Sequence, residues 1–132
     1  MNKIKIATTV ARVILGLPFL IFGINYFFPF APHPELHGAA IDYMTGLTKA
    51  GYFWPLLRSL EILIGIALIS GYFVPLALAI LAPINLQILI FHLALEPQNV
   101  PMAVILALLQ AFLIYRYWSY YKSIFVTKAV TA

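Results

Sequence analysis

Three ionisable residues fall inside stretches built otherwise from apolar side chains: Arg58, Glu61 and His92. Four neutral amides, Asn25, Asn85, Gln87 and Gln110, lie in similar surroundings. An arginine is a permanent hydrogen-bond donor, a carboxyl can carry a proton, and an imidazole can do both. Arg58 and Glu61 stand at i,i+3 and so meet on one helix face. Asn85 and His92, two helical turns apart, also share a face, whereas Gln87 points to another sector. Such a set suits a ligand with carbonyl or hydroxyl groups, or the handling of a proton. The competing use is structural: Arg58 and Glu61 neutralise each other, and amides such as Gln110 join helices. His33 and His37 have the i,i+4 spacing that can hold a metal. Their order, His-Pro-Glu-Leu-His, is not that of the zinc hydrolases, and two ligands make a weak site, so no metal is assigned. The chain carries no glycine-rich phosphate loop, no nucleophile triad and no nucleic-acid motif, so neither a stand-alone enzyme nor a nucleic-acid partner is legible. It has no cysteine. That excludes thiol redox centres and thiolate metal sites, and any redox role needs a bound cofactor or a partner.

The elements that position these residues follow from composition. Of 132 residues, 64% are hydrophobic and 9% charged, against about 25% charged in a soluble domain. The implied solvent is lipid. The expected fold is all-α, an integral membrane bundle of four helices in a single domain spanning 1–132. Span one is expected at about 9–28, and Gly16 and Gly23 on one of its faces permit close approach of another helix. Lys3 and Lys5 ahead of the apolar run read as an uncleaved signal-anchor. From Ile62 to Leu95 there is no Lys, Arg, Asp or Glu. As one helix this stretch would be about 51 Å long, too long for a hydrocarbon core of about 30 Å. The break falls at Gly71–Pro75, giving spans at about 53–70 and 74–95 joined as an antiparallel hairpin. The fourth span is expected at about 100–118. Pro55, Pro75 and Pro101 each fall in the first turn of an expected helix, where the missing N–H costs nothing. Between spans one and two, an amphipathic helix over about 34–49 places Leu36, Ala40, Tyr43, Met44 and Leu47 on one side and is expected to lie in the interface.

Lysine and arginine placement sets the orientation. Lys3, Lys5, Arg12, Arg116, Lys122 and Lys128 fall on one side, and Lys49 on the other, with Arg58 just inside the membrane. Both termini are therefore expected in the cytoplasm. At 1.5 Å rise per residue, Glu61 lies roughly 12 Å and Asn85 roughly 15 Å from the outer ends of their spans, and His92 roughly 5 Å. Gln110 lies near mid-membrane and Asn25 near the outer end of span one. This asymmetry suggests a polar chamber opening outward beneath the amphipathic helix.

Several segments resemble the DoxX family of small bacterial membrane proteins. They are Arg12-Val-Ile-Leu-Gly16, Phe22-Gly-Ile-Asn25, the stretch from Tyr52 through Arg58 and Glu61 to Gly65, Gly71-Tyr-Phe-Val-Pro-Leu-Ala77, and Leu81 to His92. Glu61, Gly65 and Gly71 resemble its most recognisable pattern, and the resemblance runs from about Ala11 to Arg116. It implies four helices, residence in the bacterial inner membrane and an association with membrane redox chemistry. Relatives include DoxD, a subunit of a thiosulfate:quinone oxidoreductase. Many relatives carry a lysine near the end of span one, where Asn25 stands here, so a mechanism needing that lysine does not carry over. The leading expectation is a membrane subunit binding a small amphipathic molecule, with quinone as the candidate cofactor and an oxidoreductase as partner. Arg58, Glu61, His92, Asn85, Asn25 and Gln110 are the candidate ligand-binding residues. A non-enzymatic small-molecule or lipid transporter, which would need an oligomer such as a homo-oligomer, and a structural assembly factor are the alternatives.

Overall fold

The computed structural model describes residues 2–32 and 35–131. Among these the only regular elements are helical, five of them α-helices: α1 Lys3–Phe27, α2 Ala39–Lys49, α3 Phe53–Ser70, α4 Val74–Leu95 and α5 Val100–Arg116. Four stretches are long and apolar enough to cross a membrane: α1, α3, α4, and α5 together with the short 3-10 turn Pro97–Asn99 before it. The fifth, α2, is shorter and amphipathic. Around the bundle, α1 packs on α3, α3 on α4, α4 on α5, and α5 back on α1. The ends of the bundle differ. One carries both chain termini and the α3–α4 turn; the other carries α2 and the α4–α5 connection. We call them the terminal end and the loop end.

The core is a column of Leu15, Phe19, Ile64, Leu68, Leu78, Leu81 and Leu113. Equally large apolar residues, among them Ile14, Leu63, Leu86, Leu93 and Leu108, face outward. In water such a surface would aggregate. In a bilayer it is solvated by acyl chains, so helix association rests on close packing rather than on a hydrophobic difference.

That packing is closest between α1 and α3. A Cβ added to Gly65 would lie 2.8 Å from the Leu20 Cβ and 2.9 Å from the Gly16 backbone oxygen, and one added to Gly16 would lie 3.1 Å from the Gly65 oxygen. A Cβ on Gly23 would overlap the Ile62 side chain and meet the Arg58 backbone oxygen at 3.0 Å. The glycine face expected on span one is thus the seat of α3.

Helix boundaries follow local chemistry. Asn2 caps α1 by accepting from the Ile4 N–H at 2.9 Å, so the helix begins at Lys3, ahead of the apolar span expected from Thr9. At the α3–α4 turn, Gly71 (φ 88°) and Phe73 (φ 57°) both occupy the left-handed region. The Arg12 side chain closes this turn: its Nε donates to the Leu68 carbonyl at 2.7 Å, satisfying a carbonyl of the last turn of α3. Proline stands in the first turn of α4 and of α5.

Two expected boundaries are corrected. The amphipathic helix starts at Ala39, not near residue 34, because Gly38 takes a positive φ of 62° and residues 35–37 are not helical. Leu36 is therefore outside the helix, though half-buried. The last long helix ends at Arg116 rather than Trp118; Tyr117 leaves helical geometry and 3-10 turns follow. Those turns return Tyr121 to the bundle, where its hydroxyl donates to the Pro75 carbonyl at 2.6 Å. Burial, with neighbouring Tyr117 adding to it, pushes the Tyr121 phenol up to about 12.

Candidate functional site

Glu61 is buried on α3, and its Oε2 lies 2.7 Å from Nη1 of Arg58. The carboxylate side chain is 4% exposed and the guanidinium 21%. The i,i+3 spacing brings the two together one turn apart. The Trp54 ring, a further turn back, receives the guanidinium at 4.9 Å from its centroid, a cation–π contact. Arg58 Nε is buried and has no acceptor among the described residues. An unsatisfied donor on a charged group is costly in a low-dielectric setting.

Asn85 and Gln110 meet across the α4–α5 interface. Asn85 Nδ2 donates to Gln110 Oε1 at 3.0 Å, and Gln110 Nε2 donates to the Leu78 carbonyl at 2.8 Å. Both residues are buried. The remaining acceptor, Asn85 Oδ1, is buried without a partner among the described residues.

His92, in the last turn of α4, is buried against Glu96. Its Nδ1 lies 2.8 Å from Glu96 Oε2, and Asn99 Nδ2 donates to the other Glu96 oxygen at 2.6 Å. Glu96 was not among the expected site residues. The i,i+4 spacing from His92 is the signal that could have found it. The Phe91 ring sits edge-on to the imidazole at 5.2 Å and also packs on Tyr43 of α2 at 5.3 Å.

Asn25 is turned inward at the end of α1. Its Oδ1 accepts from the N–H groups of Phe30 and Ala31 at 2.9 and 3.0 Å, and its Nδ2 donates to the Ala31 carbonyl at 3.3 Å. It therefore fixes the exit from α1. Gln87, pointing away from Asn85, donates to the Tyr43 hydroxyl at 2.6 Å and pins α2 to α4. His37 is exposed in the non-helical segment before Gly38, and His33 lies outside the described residues.

The six candidates thus form four polar groupings: Arg58 with Glu61, Asn85 with Gln110, His92 with Glu96, and Asn25 with its loop. Arg58–Glu61 and His92–Glu96 are donor–carboxylate couples at 2.7 and 2.8 Å. Asn85 and Gln110 bond each other and the Leu78 carbonyl, and Asn25 bonds the Phe30 and Ala31 backbone.

No curated protein and no solved structure matches this chain. The DoxX family model matches residues 7–94, a stretch that takes in nearly all of α1 and α4 and the whole of α2 and α3. It includes the α1–α3 glycine crossing, the Arg58–Glu61 pair and His92. With its four membrane-length apolar helices and this match over most of its length, the chain belongs to the DoxX family.

Proposed function

We propose that this DoxX-family protein is a membrane-embedded binding subunit for a small amphipathic molecule, a quinone first among them, acting beside an oxidoreductase supplied by another chain. The observation that carries the reading is the Arg58 guanidinium beside Glu61, whose buried Nε has no acceptor among the described residues. A quinone brings a carbonyl oxygen to accept from such a donor and an apolar ring and tail that lipid and the outward leucines solvate. Glu61 and the His92–Glu96 couple are groups that could take up or release its protons. Asn85, whose Oδ1 is an acceptor, suits a hydroxyl of the reduced quinol rather than a carbonyl of the quinone. Gln110 and Asn25 serve the site by holding helices and loop in place. The proposal includes residence in the bacterial inner membrane with both termini in the cytoplasm; an orientation of that kind is supported by six Lys and Arg towards the terminal end against Lys49 towards the other, Arg58 within α3 set aside. The assembly-factor reading has one observation in its favour: the Asn85–Gln110–Leu78 network is largely self-contained.

The test is a titration of the purified protein with a short-chain quinone. Losing a hydrogen bond to a charged group costs about tenfold in affinity or more. Glu61→Gln and His92→Ala should each weaken binding by at least about that factor, and Gln87→Ala, whose partner is Tyr43, by no more than about twofold. Equal affinity in the parent and all three variants would remove the site. Absence of binding to the parent would put the assembly-factor reading first.

A further inference from the structure

The terminal end holds a second polar site, independent of the quinone reading. Between the start of α1 and the end of α5 runs a groove of about 410 Å³. Its cations are Lys5, Arg12 and Arg116, and its neutral lining includes the hydroxyl groups of Thr8, Thr9 and Ser119. Among the described residues no carboxylate lines it. The four acidic residues of the chain, Glu35, Asp42, Glu61 and Glu96, lie in or beside α2, on α3 and in the α4–α5 connection.

The two guanidinium groups are held in place. Arg12 is fixed by its Nε bond to the Leu68 carbonyl and by Nη1, which donates to the Tyr117 hydroxyl at 3.4 Å. Arg116 Nε donates to the Thr8 hydroxyl at 3.0 Å, and that hydroxyl donates to the Ile4 carbonyl at 2.7 Å. Each arginine is thus anchored through Nε. The terminal nitrogens of Arg116 have no protein acceptor among the described residues. Cations that serve topology alone need no groove and no anchoring; Lys3, Lys122 and Lys128 are exposed in that manner. Three cations gathered without an acid repel one another, and an anion relieves that repulsion. Arginine forks suit phosphate oxygens. Tyr120 lines the groove, and Tyr115 and Trp118, close to it in sequence, are exposed at the same end of α5; such aromatics mark the headgroup layer of a bilayer.

We propose that this groove binds the phosphate group of an anionic phospholipid. Arg116 and Lys5 engage the phosphate oxygens, Arg12 supplies the fixed charge behind them, and the Ser119 hydroxyl donates at the rim, the Thr9 hydroxyl being taken by the Lys5 carbonyl at 3.0 Å. A lipid is favoured over free phosphate because the groove opens at headgroup level, where lipid phosphate is concentrated.

The experiment is native mass spectrometry of the purified protein with phosphatidylglycerol or phosphatidylcholine, alongside thermal unfolding with inorganic phosphate. Phosphatidylglycerol should be retained in preference to phosphatidylcholine. A basic residue near an anionic surface contributes about fivefold. Lys5→Gln should therefore lower retention about fivefold, and the Lys5→Gln/Arg116→Gln double variant about 25-fold. Lys3→Gln/Lys128→Gln, which removes the same charge outside the groove, should change retention less than about twofold. Lys5 makes no hydrogen bond that folding requires, so its single variant reads the site even where the double variant unfolds. Equal retention of the two lipids, or equal loss in the control variant, would overturn the site. Saturable stabilisation by inorganic phosphate without lipid preference would overturn the lipid as its source.

Discussion

Arg58 and Glu61 show how one turn of helix combines two costly groups into a tolerable one. An isolated charge in the membrane interior is expensive; a pair at 2.7 Å is less so. Removing one partner strands the other, an effect of about 3–5 kcal/mol in buried sites. Because Arg58 retains some exposure, a loss near the lower figure, about 3 kcal/mol, is expected for Glu61→Gln. The double change Arg58→Met/Glu61→Gln should cost less than either single change, read as thermal stability in detergent. Additive losses would show that the two residues do not act as a pair. His92 is a different case. Its spacing to Glu96 is plain in the sequence, but the significance of Glu96 is not, because a glutamate beside Pro97 reads as an exposed loop residue. Only the fold buries it.

At the scale of elements, the α1–α3 crossing is the structural centre of the bundle. The Gly65 face meets backbone rather than a flexible side-chain tip: the Gly16 carbonyl and the Leu20 N–H both lie 2.9 Å from an added Cβ. Gly65→Ala should force the helices apart and destabilise the protein by about 1–3 kcal/mol, the usual cost of overpacking. Gly46→Ala, on the exposed face of α2 where an added Cβ meets nothing within 4 Å, should be neutral or slightly stabilising, since alanine favours helix. Equal melting temperatures for Gly65→Ala and the parent would show that α1 and α3 are not tightly held. The same logic accounts for the Glu61, Gly65 and Gly71 pattern. Glu61 pairs with Arg58, Gly65 admits α1, and Gly71 combines a left-handed φ with room for Arg12, whose Nη2 would lie 3.2 Å from a Cβ there.

For the whole molecule, charge is sorted by end. Lys3, Lys5, Arg12, Arg116, Lys122 and Lys128 lie at or beyond the terminal end, while the acids, with Lys49 and Arg58, lie towards the loop end or within α3. With short connections, that asymmetry should direct insertion. A C-terminal reporter active only in the periplasm should be silent, and one active only in the cytoplasm should be bright. Strong periplasmic activity would reverse the proposed orientation and place the basic groove on the outer leaflet. The polar residues are sorted too, but more finely than depth alone suggests. One outward chamber was the expectation from helical rise; the side chains settle into four groupings, two of which leave a buried polar atom, Arg58 Nε and Asn85 Oδ1, without a partner among the described residues.

Solvent, helices and family resemblance are all legible in the order of residues. Composition demands lipid, the 34-residue stretch without formal charge from Ile62 to Leu95 must turn back on itself, and the turn chemistry of Gly71 and the prolines is local. Local spacing likewise made the Arg58–Glu61 pair legible. Tertiary structure decided which helices adjoin and therefore which polar groups meet. Asn85 finds Gln110 on another helix, Gln87 finds Tyr43 on α2, and Arg12 reaches past its own helix to cap α3. Nothing in the periodicity of a single apolar helix specifies its partner, because every face is hydrophobic enough for lipid. Small residues and polar side chains choose among the faces, and they do so only when two helices are brought together.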